Sequence, residues 1–209
     1  MKTKLLFTLI TWPLLAAAQM REISGDELAS VMHKVMQAAG GIESFRAKFT
    51  EEKDFSVLTQ KHRSEGEMYY LKPGKIRWEY LTPSHYLFIV NDTETIVMNG
   101  DRIERGNSGS AMIFRQIGNL ILSSISGRKI VDESKFDAKY DADETFFRVA
   151  MTPKERRIRQ MMSEIIFIFS MNDNYISSVE IKNTSGDLTT IRFIEKEINV
   201  PVEAEKFVL

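Results

Sequence analysis

Cysteine is absent from the chain. That one absence excludes disulfides, thiolate metal sites and thiol nucleophiles. Histidine is scarce, at three residues in 209, so metal ligation and general-base chemistry have little to draw on. His33 lies on a helical stretch, His62 in the charged run QKHRSE near Glu65, and His85 after a Pro-Ser turn; each reads as a surface or structural residue. No G-x-S-x-G elbow surrounds a serine, and Gly106-Asn107-Ser108-Gly109 lacks the Gly-Lys-Ser/Thr ending of a phosphate loop. Asp141 and Asp143 read as solvated loop acids. The expectation is a protein without enzymatic activity, cofactor or metal. An excess of positive charge is missing as well: 28 basic residues face 29 acidic ones. That balance argues against nucleic acid as the partner.

What is present begins with a leader. Lys2 and Lys4 precede the apolar run LLFTLITWPLLAAA, which ends in small residues. This is the pattern of a secretory signal peptide over residues 1–18, with cleavage before Gln19. The run is short for a bilayer crossing. Without a cysteine there is no lipidation site, so residues 19–209 are expected to form one unanchored domain stabilised by core packing alone.

Periodicity divides that domain. In SGDELASVMHKVMQAA, Leu28, Val31, Met32, Val35 and Met36 recur at helical spacing, with Ser24 or Asp26 as cap and Gly40-Gly41 as stop. Period two then takes over: Phe45, Ala47 and Phe49 alternate with Arg46, Lys48 and Thr50 in a strand running to Phe55. Further strands are predicted over 65–71, 75–81, 86–90, 94–98 and 102–104. Their turns, such as Lys72-Pro73-Gly74 and Asn99-Gly100-Asp101, leave no room for crossover helices. A second helix is predicted over 111–125, and later strands over 136–140, 146–152, 164–170, 175–183 and 189–195. The fold class is thus mainly antiparallel β with covering helices: about eleven strands in a sheet large enough to curl. The charged link TPKERRIRQMM carries Lys154, Arg156, Arg157 and Arg159, read as a solvated connection ahead of an anion or partner site.

Three blocks carry a resemblance. They are the first helix with ESFRAKFTEE; GEMYYLKPGKIRWEYLTP continuing into LFIVNDTETIVMNGD; and NYISSVEIKNTSGDLTTIRFIEKEINVPVEAEKF. In this order, over nearly the whole mature chain, they resemble the periplasmic outer-membrane lipoprotein carriers, the LolA-type lipoprotein chaperones. The resemblance implies an incomplete, half-open β-barrel closed by helices over an apolar cavity. It also implies a periplasmic monomer that takes acylated lipoproteins from an inner-membrane ABC-type release complex and passes them to an outer-membrane lipoprotein acceptor. The family's functional basic residue before the hairpin proline falls on Lys72, where arginine is usual, so the planar donor fork is lost. Arg77, in the Arg-Trp pair, is the second candidate for contacting a partner or controlling a lid. The chain ends at Leu209 without much of the extended tail of some members.

A carrier needs an apolar wall, because each methylene left in water costs about 0.8 kcal/mol. On the curled sheet Met68, Tyr70, Ile76, Trp78, Tyr80 and Phe88 are candidate wall residues. Phe167, Phe169, Ile181 and Phe193 extend that wall, while Met112, Ile113, Phe114 and Ile117 are candidates to close it from the helical side. Ordinary core packing competes with ligand contact at every one of these positions. Two other functions fit the same fold: a carrier of another amphiphile, such as a glycolipid or aryl-chain lipid, and an envelope scaffold that holds no lipid.

Overall fold

The computed structural model describes residues 19–91, 94–106, 121, 123–126 and 129–209. The leader of residues 1–18 and the closing candidates Met112, Ile113, Phe114 and Ile117 lie outside the described residues. Of the predicted helix 111–125, residues 121 and 123–125 are described; they are helical, and Ile121 and Ile125 are buried.

Twelve strands form one antiparallel sheet that is not closed into a barrel. After the short β1 (Arg21–Glu22) and helix α1 (Gly25–Gly40) come β2 (Ser44–Asp54), β3 (His62–Leu71) and β4 (Lys75–Thr82). β5 (Tyr86–Val90), β6 (Thr95–Asn99) and β7 (Arg102–Arg105) complete a meander. The second meander is β8 (Phe136–Ala142), β9 (Phe146–Pro153), β10 (Met162–Ser170), β11 (Ile176–Asn183) and β12 (Leu188–Ile198), with the single-turn α2 (Arg156–Arg159) before β10. β12 pairs with β2 and joins the two meanders, leaving β1 and β7 as the edges.

The register sets which side chains share a face. Phe49 lies between Phe193 and Gly66, Met68 lies opposite Trp78, and Trp78 lies opposite Phe88. These residues belong to the main core, which α1 covers through Val31 and Val35. The odd positions of β3 and β5 point the other way. Tyr69, Leu87 and Ile89, with Ile96 of β6 opposite Ile89, form a smaller outer cluster under Phe207, which sits on a 3-10 turn (Ala204–Phe207).

Local chemistry pins the junctions. Ser24 precedes α1 but makes no side-chain capping bond, so the first turn relies on Asp26 and Glu27 against the helix dipole. Asn199, held at φ 56°, accepts the Glu43 amide through Oδ1 at 2.7 Å and donates to the Gly41 carbonyl at 2.9 Å. Those bonds tie the end of β12 to the start of β2. The β11–β12 turn uses Gly186 at φ 90°, a conformation glycine adopts without penalty.

Candidate functional site

A cavity of about 560 Å³ opens on the inner face between the end of β2, the start of β3, the β4–β5 turn and the start of β10. Its volume lies in the range of small-ligand sites. Alternation along β4 sends Ile76, Trp78 and Tyr80 into it, and β5 adds Tyr86 and Phe88. Across the space stand Ile181 of β11, Ile191 of β12, Ile121, and Met161 and Met162 beside α2.

The aromatic wall is interlocked. Phe49 packs against Trp78 at 4.6 Å between ring centroids and meets Tyr80 edge-on at 5.1 Å. Trp78 meets Phe193 at 5.9 Å. Offset and edge-on pairs of this kind add stability beyond area burial. They hold the wall in place while the cavity stays open beside it.

Five of the wall candidates from the sequence line the cavity: Ile76, Trp78, Tyr80, Phe88 and Ile181. Met68, Tyr70, Phe167 and Phe169 are fully buried in the main core and do not line it. Phe193 is also buried, directly behind Trp78.

Sequence reasoning missed the polar end of the cavity. Glu51, Lys53, His62 and Ser64 line it on β2 and β3, with Ser84, Asn183 and Thr189 on neighbouring turns and strands. A signal for the first two was present. Glu51 and Lys53 continue the alternation of Phe45, Ala47 and Phe49, so they face the same way as those apolar residues. His62 lies opposite Lys53 in the ladder and faces the cavity. Among the described residues no group of three His, Cys, Asp or Glu side chains is placed to hold a metal ion.

Glu51 is only 4% exposed. Its Oε2 accepts the Tyr80 hydroxyl at 2.7 Å, and Lys53 Nζ stands 3.1 Å from Oε1. Burial, and then the neighbouring Glu51 carboxylate, push the Tyr80 phenol far above its ordinary pKa, so it stays a donor at every physiological pH.

Lys72 and Arg77 are placed elsewhere. Lys72 is exposed on the β3–β4 turn, with Nζ 2.5 Å from Glu43 Oε1. Arg77 faces outward, bonds Glu79 at 2.8 Å and donates to the Lys206 carbonyl at 3.1 Å, clasping the C-terminal turn. Neither lines the cavity. In the charged link, Lys154 pairs with Asp137 at 3.1 Å, whereas Arg156, Arg157 and Arg159 are exposed and have no ion pair among the described residues.

The family model described as "Outer membrane lipoprotein carrier protein LolA" matches residues 40–209. An outer-membrane lipoprotein carrier protein of Pseudoalteromonas translucida is 19% identical over 166 residues, covering 79% of this chain and 76% of that one. An uncharacterized conserved protein of Thermus thermophilus shares the fold, with a TM-score of 0.52 at 8% identity over 87% of this chain and 92% of that one. A LolA superfamily protein of Nitrosomonas europaea aligns at a TM-score of 0.45 and 7% identity, over 87% of this chain and 97% of that one.

Proposed function

The chain belongs to the family of outer membrane lipoprotein carriers called LolA, and from that premise we propose that it carries acylated lipoproteins across the periplasm. The observation that carries the reading is the cavity itself, an apolar space walled by Ile76, Trp78, Phe88, Ile181 and Ile191 and left open at a polar rim. Such a space shelters acyl chains while a protein portion stays outside. No chemistry is required of it, only an affinity between that of the donor and that of the acceptor.

In this reading the protein is a monomeric periplasmic chaperone, loaded by an inner-membrane ABC-type release complex and emptied onto an outer-membrane lipoprotein acceptor. Lys72, on the outer end of the aromatic hairpin, is a partner contact that exchanges Glu43 for an acidic group of the donor or acceptor. Arg77 acts indirectly, by holding the C-terminal turn against the outer face.

The cavity volume favours a second reading. The cavity is of small-ligand size, which suits one acyl chain more readily than three. A single-chain amphiphile, such as a glycolipid or aryl-chain lipid, fits that space without further opening. A scaffold that holds no lipid has no use for the cavity.

Native mass spectrometry of the mature protein, purified gently from the periplasm, separates these readings. A triacylated lipoprotein bound one-to-one supports the first, and a free lipid or glycolipid moves the cargo to the second. If the protein is isolated empty and added lipoprotein also fails to bind, the lipoprotein-carrier reading is overturned.

A further inference from the structure

The polar atoms inside the cavity do not pair with one another completely. Glu51 Oε1 is buried, and although Lys53 Nζ is 3.1 Å away the contact lacks hydrogen-bond geometry. Trp78, 7% exposed, has its indole Nε1–H buried without a hydrogen-bond partner among the described residues. Tyr80 follows Trp78 on the same face of β4. The same tyrosine donates to Glu51 Oε2. Among the described residues, then, neither Glu51 Oε1 nor Trp78 Nε1–H makes a hydrogen bond, and both belong to cavity-lining residues that flank Tyr80.

Buried polar groups are rarely left unpaired, because the protein loses their hydration without replacing it. The location of these two gives the omission a use. On one side of them are Ile76 and Phe88; on the other are Lys53, His62 and Ser64. They stand at the boundary between the apolar and polar halves of the cavity, where the hydrocarbon of an amphiphile ends and its head begins.

We infer that Glu51 and Trp78 form a head-group subsite for an acyl-chain ligand whose first polar group both donates and accepts hydrogen bonds, as a secondary amide or a hydroxyl does. The inference rests on the carrier reading and deepens it. The ligand's N–H or O–H donates to Glu51 Oε1, and its oxygen accepts the Trp78 Nε1–H. An ester supplies only the acceptor and leaves Glu51 without its donor. The site thus selects N-acylated or hydroxylated heads over plain esters, a discrimination that hydrocarbon walls cannot make.

Displacement of a fluorescent fatty-acid probe from the mature protein tests this with three ligands of one chain length: N-methyldodecanamide, dodecanol and methyl dodecanoate. The expected result is that the amide, the alcohol or both bind about tenfold tighter than the ester, a ratio expected for one satisfied buried polar group. Glu51→Met should remove that preference and bring the three affinities together. Trp78→Phe should weaken all three ligands by a similar factor, since each offers an oxygen. Equal affinities of the wild-type protein for all three ligands would overturn the subsite and leave the carrier reading standing. Failure of the probe and of all three ligands to bind at all would overturn both. The wild-type ligand series decides the matter even if a variant does not fold.

Discussion

Gly66 occupies a point on β3 where no side chain fits. A Cβ there would lie 2.1 Å from the Glu79 carbonyl oxygen and 2.4 Å from Phe49 Cζ. The first obstacle is backbone and the second is a core ring fixed between Trp78 and Tyr80, so neither gives way cheaply. Gly66→Ala is expected to destabilise the protein by about 3 kcal/mol, at the upper end of overpacking costs. Chemical denaturation measures it, and a change below about 0.5 kcal/mol would mean that Phe49 moves freely. On the outer face, Glu79 makes a prediction in pH. Burial works to raise its carboxyl pKa, but bonds from His85 at 2.7 Å and Arg77 at 2.8 Å outweigh it and hold Glu79 below its ordinary value. A depressed folded-state pKa gives stability that is present above the unfolded value and lost as pH falls through the folded one. Wild type should therefore melt above Glu79→Gln at about pH 5.5, with the gap closing as the pH drops below the ordinary carboxylate range. A gap that stays constant down to about pH 3 would contradict the assigned bonds.

At the scale of elements, the C-terminal turn depends on the sheet more than on itself. The 3-10 turn is too short to persist alone, and it is held by Phe207 in the outer cluster, by Arg77 on the Lys206 carbonyl and by Asn91 Nδ2 on the Phe207 carbonyl at 2.9 Å. Phe207→Ala should cost about 3 kcal/mol and should speed amide exchange in residues 202–209 before any other segment. Uniform acceleration across the sheet would instead make the turn part of the global unfolding unit. The elements themselves were largely legible in the sequence. Strand β5 has the predicted bounds, Tyr86–Val90, because its turns and apolar run leave one solution. The two-residue β1 was not legible, since Arg21 and Glu22 are too few to show a period and pair with β8 through the backbone alone. Nor was the order of the strands: the β12–β2 pairing joins segments far apart in sequence, and local periodicity carries no record of it. The site was legible only by half. Apolar wall residues announce themselves by type, but Glu51 and Lys53 look like a solvated strand end unless the parity of Phe45, Ala47 and Phe49 is carried past residue 50.

Over the whole molecule, the inner face does two jobs that are separable by position. Near β8 to β10, Phe147 and Phe169 pack at 6.0 Å and Phe167 meets Phe169 at 6.4 Å, giving a closed aromatic core. Toward β4, β5 and β11 the same face lines the cavity. Alternation assigns residues to the inner face without saying which of them touch a ligand, which is why Phe169 and Ile181 look alike in sequence. They should differ in consequence. Phe169→Leu removes packing from a filled region and should lower stability by about 1–2 kcal/mol while leaving probe affinity within about twofold, since energetically distant sites act nearly independently. Ile181→Trp puts added bulk into empty space, so it should weaken probe binding by about tenfold or more with little loss of melting temperature. The ligand should itself raise the melting temperature of the wild type, by the linkage that stabilises whatever state binds, with about 2.7 kcal/mol gained at a hundredfold excess over Kd. That rise should persist in Phe169→Leu and fall to about half or less in Ile181→Trp. If both variants lost binding in proportion to lost stability, cavity and core would be one cooperative unit, and the open volume would be a by-product of packing rather than a place for cargo.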